Sequence, residues 1–251
     1  MPAESNHPVF SAPVDLNVKI WRYMDLSKYL SLLESAALFF SRADLLGDPY
    51  EGATSHANRS MRSGVDPEGV PQSVLDSLSP HMRFEREWTF INCWHMNEHE
   101  SDAMWRLYAR TTDAVAIQST YERLHRVLPC GVYLGVVEYI DYNTEWMPES
   151  NLLYRFTHKR RSFAHERELR VLVQDLPRKS DPGGSAASVF NYASNKEAGR
   201  IVPVKLMDLI EKVYIAPTAP RWFRDVVKAI TARYEIDVPI EQSALDQSPE
   251  F

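Results

Sequence analysis

The chain has little cysteine and little glycine, and each shortage argues against a class of function. Cys93 and Cys130 are the only cysteines among 251 residues, which is too few for a disulfide framework and lacks metal-site spacing. The nine glycines form no Gly-x-x-x-x-Gly-Lys phosphate loop and no Gly-x-Ser-x-Gly nucleophile elbow. The sequence therefore disfavours P-loop, Rossmann and kinase functions, and it gives little support to nucleophilic catalysis.

Long apolar runs and an excess of positive charge are also missing. No apolar run approaches the length of about 20 residues that a membrane helix needs, and the first residues lack the basic and apolar regions of a secretory signal. A net charge of −6 and a pI near 5.8 argue against broad, sequence-independent binding of nucleic acid. We expect a cytoplasmic protein in a reducing compartment that does not bind membranes.

The remaining composition is that of a folded α+β protein. With 44% hydrophobic and 25% charged residues, the chain is typical of a globular protein and long enough for one large core. The proline-rich segment 1–15 is predicted to be a flexible N-terminal arm, residues 16–241 a single domain, and the polar residues 242–251 a C-terminal tail. Strands and helices intermix without the regular alternation of a doubly wound sheet, which favours the α+β class.

Hydrophobic periodicity and turn residues predict the elements. The predicted strands are 17–23, 37–41, 88–94, 115–118, 132–142, 169–174, 201–204, 213–216 and 236–240. A helix is predicted to follow Asp25 as its N-cap, and others lie at 98–110, 121–127, 152–163 and 222–234, with a helical turn or two at 72–78. Loops are predicted at 59–68 and 177–187, of which the second is long enough for a lid.

Two carboxylates, Glu166 and Glu168, precede the apolar run Leu169–Val173 and follow a strongly basic segment. Residues two apart on a strand point to the same face, so a strand that began at or before Glu166 would present both carboxylates side by side. Such a pair stabilises a positive centre developing on a substrate, while neighbouring arginines hold phosphates. The alternative is a helix end whose charges are only solvated.

Arg22 lies inside an otherwise apolar predicted strand, so its charge needs a phosphate or a carboxylate. The structural alternative is a salt bridge with Asp25 or Glu51. Ser41 ends the next strand with a hydroxyl that either orients a ligand or caps a turn. We expect Arg22 and one or more of the basic residues Arg106, Lys159 and Arg160 to bind a diphosphate, because a planar guanidinium matches phosphate oxygens.

The segment 92–108 contains the histidine pair His95 and His99 at helical i,i+4 spacing. The order His-Glu-x-x-His and a third ligand are missing, so we predict no metal site. Ser101 and Asp102 are predicted to begin a helix. Aromatic residues of this segment, Trp105 and Tyr108 among them, are expected in the core or in a pocket wall.

Several phrases together resemble a bacterial family called domain of unknown function 2971. The phrases are Trp21-Arg22-Tyr23, Leu38-Phe39-Phe40-Ser41, Asp48-Pro49-Tyr50-Glu51, residues 100–109, His158-Lys159 and residues 163–170. The resemblance covers the chain from about Trp21 to Ala216. The family name implies no activity.

A more distant resemblance connects the order Arg22, Ser41 and Glu166 with Glu168 to the Arg, Ser and Glu motifs of ADP-ribosyltransferases, including their DNA-modifying toxin branch. It implies a fold of mixed, mainly antiparallel sheets with flanking helices, and NAD as a substrate. Arg22 would hold NAD, Ser41 would support the nicotinamide pocket, Glu168 would stabilise the ribosyl oxocarbenium ion and Glu166 would polarise the acceptor. The usual Ser-Thr-Ser triplet is replaced by Phe40-Ser41-Arg42.

Two functions follow as expectations. The first is an ADP-ribosyltransferase or NAD glycohydrolase, of a toxin or phage-defence kind, with a nucleic acid or a protein as the acceptor. Its nucleotide site would comprise Arg22, Ser41, Tyr23, Arg106, Tyr108, Lys159 and Arg160. The second is a non-catalytic module in which Arg22, Arg106 and the cluster at Arg160 bind an anionic ligand or partner.

Overall fold

A computed structural model describes residues 7–64, 72–109, 112–177 and 193–247. Within these ranges the strands are β1 (Lys19–Asp25), β2 (Ala37–Arg42), β3 (Thr89–Met96), β4 (Ala114–Thr120), β5 (Tyr133–Val136), β6 (Glu138–Ile140), β7 (His158–Arg160), β8 (Glu168–Gln174), β9 (Gly199–Pro203), β10 (Lys212–Ile215) and β11 (Ile240–Gln242). The α-helices are α1 (Leu26–Ser35), α2 (His56–Gly64), α3 (Gln72–Glu87), α4 (Asp102–Tyr108), α5 (Tyr121–Val127), α6 (Leu206–Leu209) and α7 (Arg221–Arg233).

Most of the strands form one mixed sheet, and this confirms the predicted α+β class with mainly antiparallel strands and flanking helices. The order is β11-β10-β4-β1-β3-β2-β9, and β8 joins β3 to β5. In the large sheet β10 and β11 pair in parallel, whereas the other pairs are antiparallel. The short strands β6 and β7 form a separate parallel pair.

The sheet forks beside β3. One edge of β3 pairs with β8 from Thr89 to His95. The other edge is shared, because β2 pairs with Phe90 and Ile91 whereas β1 pairs with His95 and Met96. Between these two contacts residues 92–94 have no strand partner on that edge among the described strands. We call the space between β1 and β2 at this point the fork.

A side-chain hydrogen bond takes the place of backbone pairing between β2 and β3 at this point. The amide nitrogen of Asn92 donates a hydrogen bond of 2.8 Å to the carbonyl oxygen of Phe39 on β2, and the indole of Trp94 donates to the Asn92 side chain at 2.8 Å. Because a buried backbone carbonyl needs a donor, the Asn92 amide permits β2 to separate from β3 without leaving this oxygen unpaired.

Apolar side chains cover both faces of the sheet. The largest core cluster contains Tyr29 and Leu33 of α1, Leu124 of α5, and Phe223 and Val227 of α7. On another face a smaller cluster packs Trp21 and Tyr23 of β1 against Met104 and Trp105 of α4. No helix in the described parts of the chain is long and apolar enough to cross a membrane.

Two secondary-structure predictions, at 59–68 and at 152–163, were wrong because local polar interactions, rather than apolar periodicity, decided the structure. Residues 59–64 of the predicted loop 59–68 lie in α2, whose start is capped by Ser55, which accepts from the backbone N–H of Asn58 at 3.1 Å; residues 65–68 lie outside the described residues. The predicted helix 152–163 is instead two 3₁₀ turns, Leu152–Phe156 and Arg161–Glu166, on either side of β7. Pairing of β7 with β6 provides the hydrogen bonds that a helix would otherwise have made.

Most strand predictions were correct in position, with changed ends. The predicted strand 132–142 is divided into β5 and β6, which pair with different partners. The predicted strand 236–240 was wrong except at its last residue, because β11 runs from Ile240 to Gln242. Residues 178–187 of the predicted lid lie outside the described residues. The arm and tail boundaries stay predictions, although Val9 and Phe10 are buried and Phe10 stacks on Tyr133 at 5.1 Å.

Gly52 lies in the turn after Glu51, and we predict that this position tolerates no side chain. Its φ is +70°, and an added Cβ would lie 2.5 Å from Phe156 Cε1 and 2.9 Å from Arg86 Cγ. Gly52→Ala should lower the free energy of unfolding by roughly 2–4 kcal/mol, since overpacking adds to backbone strain.

Gly131→Ala is the matched control for urea unfolding, because Gly131 also has a positive φ, +81°, but open space around it. It should cost only about 1 kcal/mol. Equal losses in the two variants would show that packing against Phe156 does not constrain the turn.

Candidate active site

The two carboxylates of the predicted pair come together, but not by strand alternation. β8 begins at Glu168, whereas Glu166 ends a 3₁₀ turn and Arg167 between them has a left-handed conformation with φ of 40°. The condition for pairing on one face, a strand that begins at or before Glu166, is therefore not met. Lys159 joins them instead, since its Nζ contacts Glu166 Oε2 and lies 3.0 Å from Glu168 Oε2.

Arg170 extends this contact into a row of buried charges. Its Nε donates to Glu168 Oε1 at 2.8 Å and its Nη2 to Glu168 Oε2 at 3.0 Å. Its Nη1 and Nη2 also donate to the two carboxylate oxygens of Glu51, at 2.5 and 3.1 Å. We call the series Glu51, Arg170, Glu168, Lys159 and Glu166 the ion ladder. Negative and positive groups alternate along it, and all five residues are buried.

The alternation of negative and positive groups keeps the central members of the ion ladder ionised. Burial opposes ionisation of Glu168, but the positive charges of Arg170 and Lys159 outweigh it and lower the pKa of this carboxyl to about 2. Burial also opposes the charge of Lys159, yet Glu168 and Glu166 prevail and raise its pKa. At the end of the ladder, burial raises the pKa of Glu51 in spite of Arg170. Glu168 is therefore a fixed anion at neutral pH.

Two tyrosines border the carboxylates. Tyr108 on α4 donates its hydroxyl to Glu166 Oε1 at 3.0 Å, and with 45% of its surface exposed it connects the ladder to solvent. Tyr139 on β6 accepts the backbone N–H of Glu168 at 2.8 Å. Burial raises the pKa of both phenols, so both keep their protons.

Arg22 on β1 places its guanidinium beside the fork, where none of the described carboxylates pairs with it. Its Nη2 lies 3.4 Å from the carbonyl oxygen of Phe39, and its Nη1 is buried without a hydrogen-bond partner in the described part of the chain. The alternative salt bridges do not form, because Asp25 pairs with Lys28 and Glu51 with Arg170. Burial lowers the pKa of Arg22 to about 10, so the guanidinium still carries its charge at neutral pH.

Cys93 connects the fork to the ladder. It is the middle residue of the unpaired stretch of β3, and its thiol interacts electrostatically with Arg22 as well as with Glu168, Arg170 and Lys159. Burial raises the pKa of this thiol well above its usual value, with Glu168 adding to the effect. Cys93 is therefore a neutral spacer between the cation of β1 and the carboxylates.

Other predicted ligands differ in how close they come to these groups. Ser41 is half-buried on β2, and its hydroxyl donates only to the neighbouring carbonyl of Arg42, at 3.4 Å. Tyr23 is buried in the aromatic cluster, where its hydroxyl accepts from the backbone of Ser101. Arg106 is not brought to the ladder: its side chain is 79% exposed and pairs with Asp102 one helical turn away.

Arg160 borders a separate cavity of about 310 Å³. Its guanidinium donates to Asp48 Oδ1 at 2.7 Å and lies over the Tyr50 ring at 4.3 Å. The cavity is lined by Tyr50, His56, Ile140, Asp141, Tyr142, Asn143, Arg160, Arg161 and Ser162. Lys159 and Arg160 therefore have different carboxylate partners although they are neighbours in sequence, and both side chains approach the ring of Phe163, at 5.0 and 5.2 Å from its centroid.

The sequence analysis missed three contributors. Arg170 was predictable from the same alternation that was applied to the glutamates, because it lies two residues after Glu168 on β8. Glu51 was predicted only as the alternative partner of Arg22. No sequence pattern around Tyr139 indicated that it would contact Glu168. Among the described residues no cluster of three or more His, Cys, Asp and Glu side chains has the arrangement of a metal site.

No protein-family model matches this sequence, and a search of curated proteins found no match. The resemblance to domain of unknown function 2971 therefore stays a prediction. Solved structures with a similar fold include three of DarT from Thermus sp. 2.9. The complex with NAD+ has a TM-score of 0.42 at 9% identity, covering 95% of this chain and 100% of DarT.

The complex with carba-NAD+ has a TM-score of 0.40 at 10% identity, covering 94% of this chain and 98% of that one. For the complex with ADP-ribosylated ssDNA the TM-score is 0.39 at 10% identity, with coverages of 92% and 95%. At this level of similarity a function has to rest on the geometry of the site.

We predict that the ladder makes stability depend on acid. A carboxyl whose folded pKa is depressed stabilises the fold above its unfolded pKa, and this contribution disappears as the pH falls through the folded pKa. For Glu168 the window runs from the ordinary value of 4.5 down to about 2. Over it the free energy of unfolding should fall by on the order of 3 kcal/mol.

Urea unfolding at several pH values, with wild type and Glu168→Gln, measures this dependence. Glu51, whose pKa is raised by burial and in part by the charge of Glu168, acts in the opposite direction, and this opposing effect should be smaller in Glu168→Gln. In Glu168→Gln the free energy of unfolding should fall less steeply as the pH is lowered. Parallel curves for the two proteins would show that Glu168 is not the depressed carboxyl.

Proposed function

We propose that the protein uses NAD as a substrate, as an ADP-ribosyltransferase or an NAD glycohydrolase. The observation that carries the proposal is Arg22, a half-buried arginine at the fork whose Nη1 is buried without a hydrogen-bond partner and which has no carboxylate partner in the described chain. Leaving a buried donor unpaired is costly, and a phosphate oxygen is the ligand that a guanidinium fork fits best. The thiol of Cys93 interacts electrostatically with this cation and with the ionised Glu168.

An anion-binding group beside a fixed carboxylate matches the chemistry of NAD cleavage. When the bond between ribose C1′ and the nicotinamide nitrogen breaks, its electron pair goes to the ring nitrogen, which becomes neutral, and a positive charge develops on the ribose. A preorganised carboxylate in a dry site stabilises that charge strongly. Glu168 meets this requirement because Arg170 and Lys159 hold it in place and keep it ionised.

Glu166 is the proposed acceptor-side carboxylate. Its Oε1 is the oxygen that accepts from the half-exposed hydroxyl of Tyr108. An acceptor that takes the place of this phenol donates its own hydrogen to Glu166 and then attacks C1′, giving transfer. Water that attacks C1′ and loses its proton to bulk solvent gives NAD hydrolysis without Glu166. We further propose Ser41, on the β2 side of the fork, as a nicotinamide contact, and nucleic acid or protein as the acceptor in a toxin or phage-defence role.

One observation favours the non-catalytic alternative. Both carboxylate oxygens of Glu168 already accept hydrogen bonds, from Arg170 and Lys159. In this alternative the ladder is structural, and Arg22 binds an anionic nucleotide or partner without reaction. Incubation with NAD and measurement of released nicotinamide separates the two functions, because the module binds NAD without consuming it.

We predict that Arg22 is required for ligand binding and not for folding. At a concentration of 100 times Kd, NAD should raise the Tm of the wild type by about 5–10 °C, and added salt should reduce the rise. Arg22→Met should abolish the rise while leaving the unliganded protein at least as stable, since it removes a buried charge without a partner.

Arg106→Ala serves as the comparison in the same calorimetry, because Arg106 is an exposed cation in an ion pair on α4. It should keep the NAD-dependent rise. A rise that survives in Arg22→Met, or an unliganded Arg22→Met protein that is much less stable, would contradict the role given to Arg22.

For catalysis we predict different effects of the two glutamates. Glu168→Gln keeps shape but removes the anion under the ribose, so nicotinamide release should fall by about 100-fold or more. Glu166→Gln should leave hydrolysis of NAD within about tenfold and reduce transfer to an acceptor more strongly. Circular dichroism confirms folding of each variant. Undiminished nicotinamide release by folded Glu168→Gln protein would remove the assignment.

A further inference from the structure

His95 occupies the closed end of the fork. It is the residue of β3 that pairs with Trp21 of β1 on one edge and with Glu168 of β8 on the other. Its side chain is buried, with 4% of the residue exposed. The ring Nδ1 lies 2.6 Å from the carbonyl oxygen of Glu166. His95 therefore contacts the backbone of one proposed functional glutamate and is aligned with the other.

The protonation state of the ring follows from this contact. A carbonyl oxygen only accepts, so Nδ1 must carry a hydrogen. Burial lowers the pKa of His95 and outweighs the Glu166 carbonyl, which acts in the other direction, so the ring is neutral at pH 7. Nε2 consequently carries no hydrogen, and it is buried without a hydrogen-bond partner in the described part of the chain. The tautomer is fixed by the Glu166 backbone.

The turn that His95 contacts determines where the Glu166 side chain lies. Glu166 precedes β8 and has no strand ladder of its own, and Arg167 after it is left-handed. Two hydrogen bonds from the end of β3 hold this turn: His95 Nδ1 donates to the Glu166 carbonyl, and Met96 N–H donates to the Arg167 carbonyl at 2.9 Å. The first of these bonds is made to Glu166 itself, so it fixes the backbone from which the Glu166 carboxylate reaches Lys159 and Tyr108.

We propose that His95 is a positioning residue that holds Glu166, and thereby sets how much of the NAD reaction goes to an acceptor rather than to water. The inference rests on the proposed function, in which Glu166 acts on the acceptor and Glu168 on the ribose. Glu168 is held by β8, Arg170 and Lys159 independently of His95. Loss of the His95 hydrogen bond therefore affects transfer more than NAD cleavage.

This role replaces the metal-ligand pattern suggested by the spacing of His95 and His99. The Nδ1 of His95 is engaged by a backbone carbonyl, and His99 is exposed and outside the ladder. A histidine that bonds to a carbonyl through Nδ1 typically serves to orient the group on its other side or to fix a loop. Here the loop is the turn carrying Glu166.

Three substitutions at His95 separate a positioning role from simple packing. His95→Asn retains an N–H close to the place of Nδ1, His95→Gln moves the donor outward to the place of Nε2, and His95→Leu removes it. The ratio of acceptor modification to nicotinamide release should fall by about 10–100-fold in the Leu and Gln variants. In the Asn variant it should stay within about threefold of wild type.

A merely structural histidine predicts another pattern. All three variants would then lose activity in proportion to their loss of stability, and the ratio would not change. Either an unchanged ratio in His95→Leu or a failure of His95→Asn to rescue would overturn the proposal. His125→Leu is the control, because His125 is also partly buried with an unpaired Nε2 but lies on α5, stacked on Tyr121; its ratio should equal that of wild type.

Two measurements need no activity and so distinguish failure of this inference from failure of the proposed reaction. Nitrogen NMR of the wild type should show a neutral His95 ring with its hydrogen on Nδ1 at pH 7. Hydrogen exchange of the Arg167 and Glu168 amides should accelerate in His95→Leu and not in His95→Asn. A hydrogen on Nε2, or equal exchange in the two variants, overturns the positioning role. If both results are as expected but NAD is not consumed, the positioning of Glu166 by His95 stands and only the proposed NAD reaction is refuted.

Discussion

The alternation of charge along the ion ladder is the constraint on which the rest of the site depends. Its members come from the turn after β2, from β7, from the 3₁₀ turn before β8 and from β8 itself. An isolated buried charge is costly, but each inner member here lies between two charges of opposite sign. Removing any one of them would leave neighbours without compensation. The ladder thus ties distant segments together more specifically than apolar contacts do, because only one arrangement pairs every charge.

The pairing of buried charges also explains why Arg22 differs from Arg170. Both are arginines on strands, but Arg170 is buried between two carboxylates, whereas the half-buried Arg22 has one backbone carbonyl at 3.4 Å as its partner among the described residues. Glu51 and Glu168 are already engaged by Arg170, so no ladder carboxylate remains for the cation at the fork. A positive group without a carboxylate partner among the described residues is the basis on which a ligand site is proposed at the fork.

The forked sheet decides where these groups meet. Since β1 and β2 share one edge of β3, they separate near residues 92–94, and Arg22 from one branch reaches toward the Phe39 carbonyl of the other. His95, at the point where the branch with β1 rejoins β3, connects this region to the Glu166 turn. The fork, the ion ladder and the turn that carries Glu166 therefore all adjoin one strand, β3.

Local sequence determined the elements whose signals are local. Asp25 was predicted to cap α1 and does so, accepting the N–H of Lys28 at 2.8 Å. The predicted helix 121–127 is α5, and the apolar runs around Phe40, Ile91 and Val171 are strands. The α+β class followed from the mixture of these patterns, because periodicity reports which face of an element is buried. Local sequence failed at 152–163, where β7 exists only because β6 lies beside it.

For the site, the sequence by itself determined the chemistry that is available and the tertiary structure decided its use. The residue types and order indicated Arg22, Glu166 and Glu168, and the basic residues around them. Only the fold decided that Lys159 pairs with carboxylates, that Arg106 stays in solvent, that Arg170 completes the ladder and that His95 holds the Glu166 turn. The physical reason is that a side chain's propensity is local, whereas the partner of a buried charge is chosen by pairing between strands far apart in the chain.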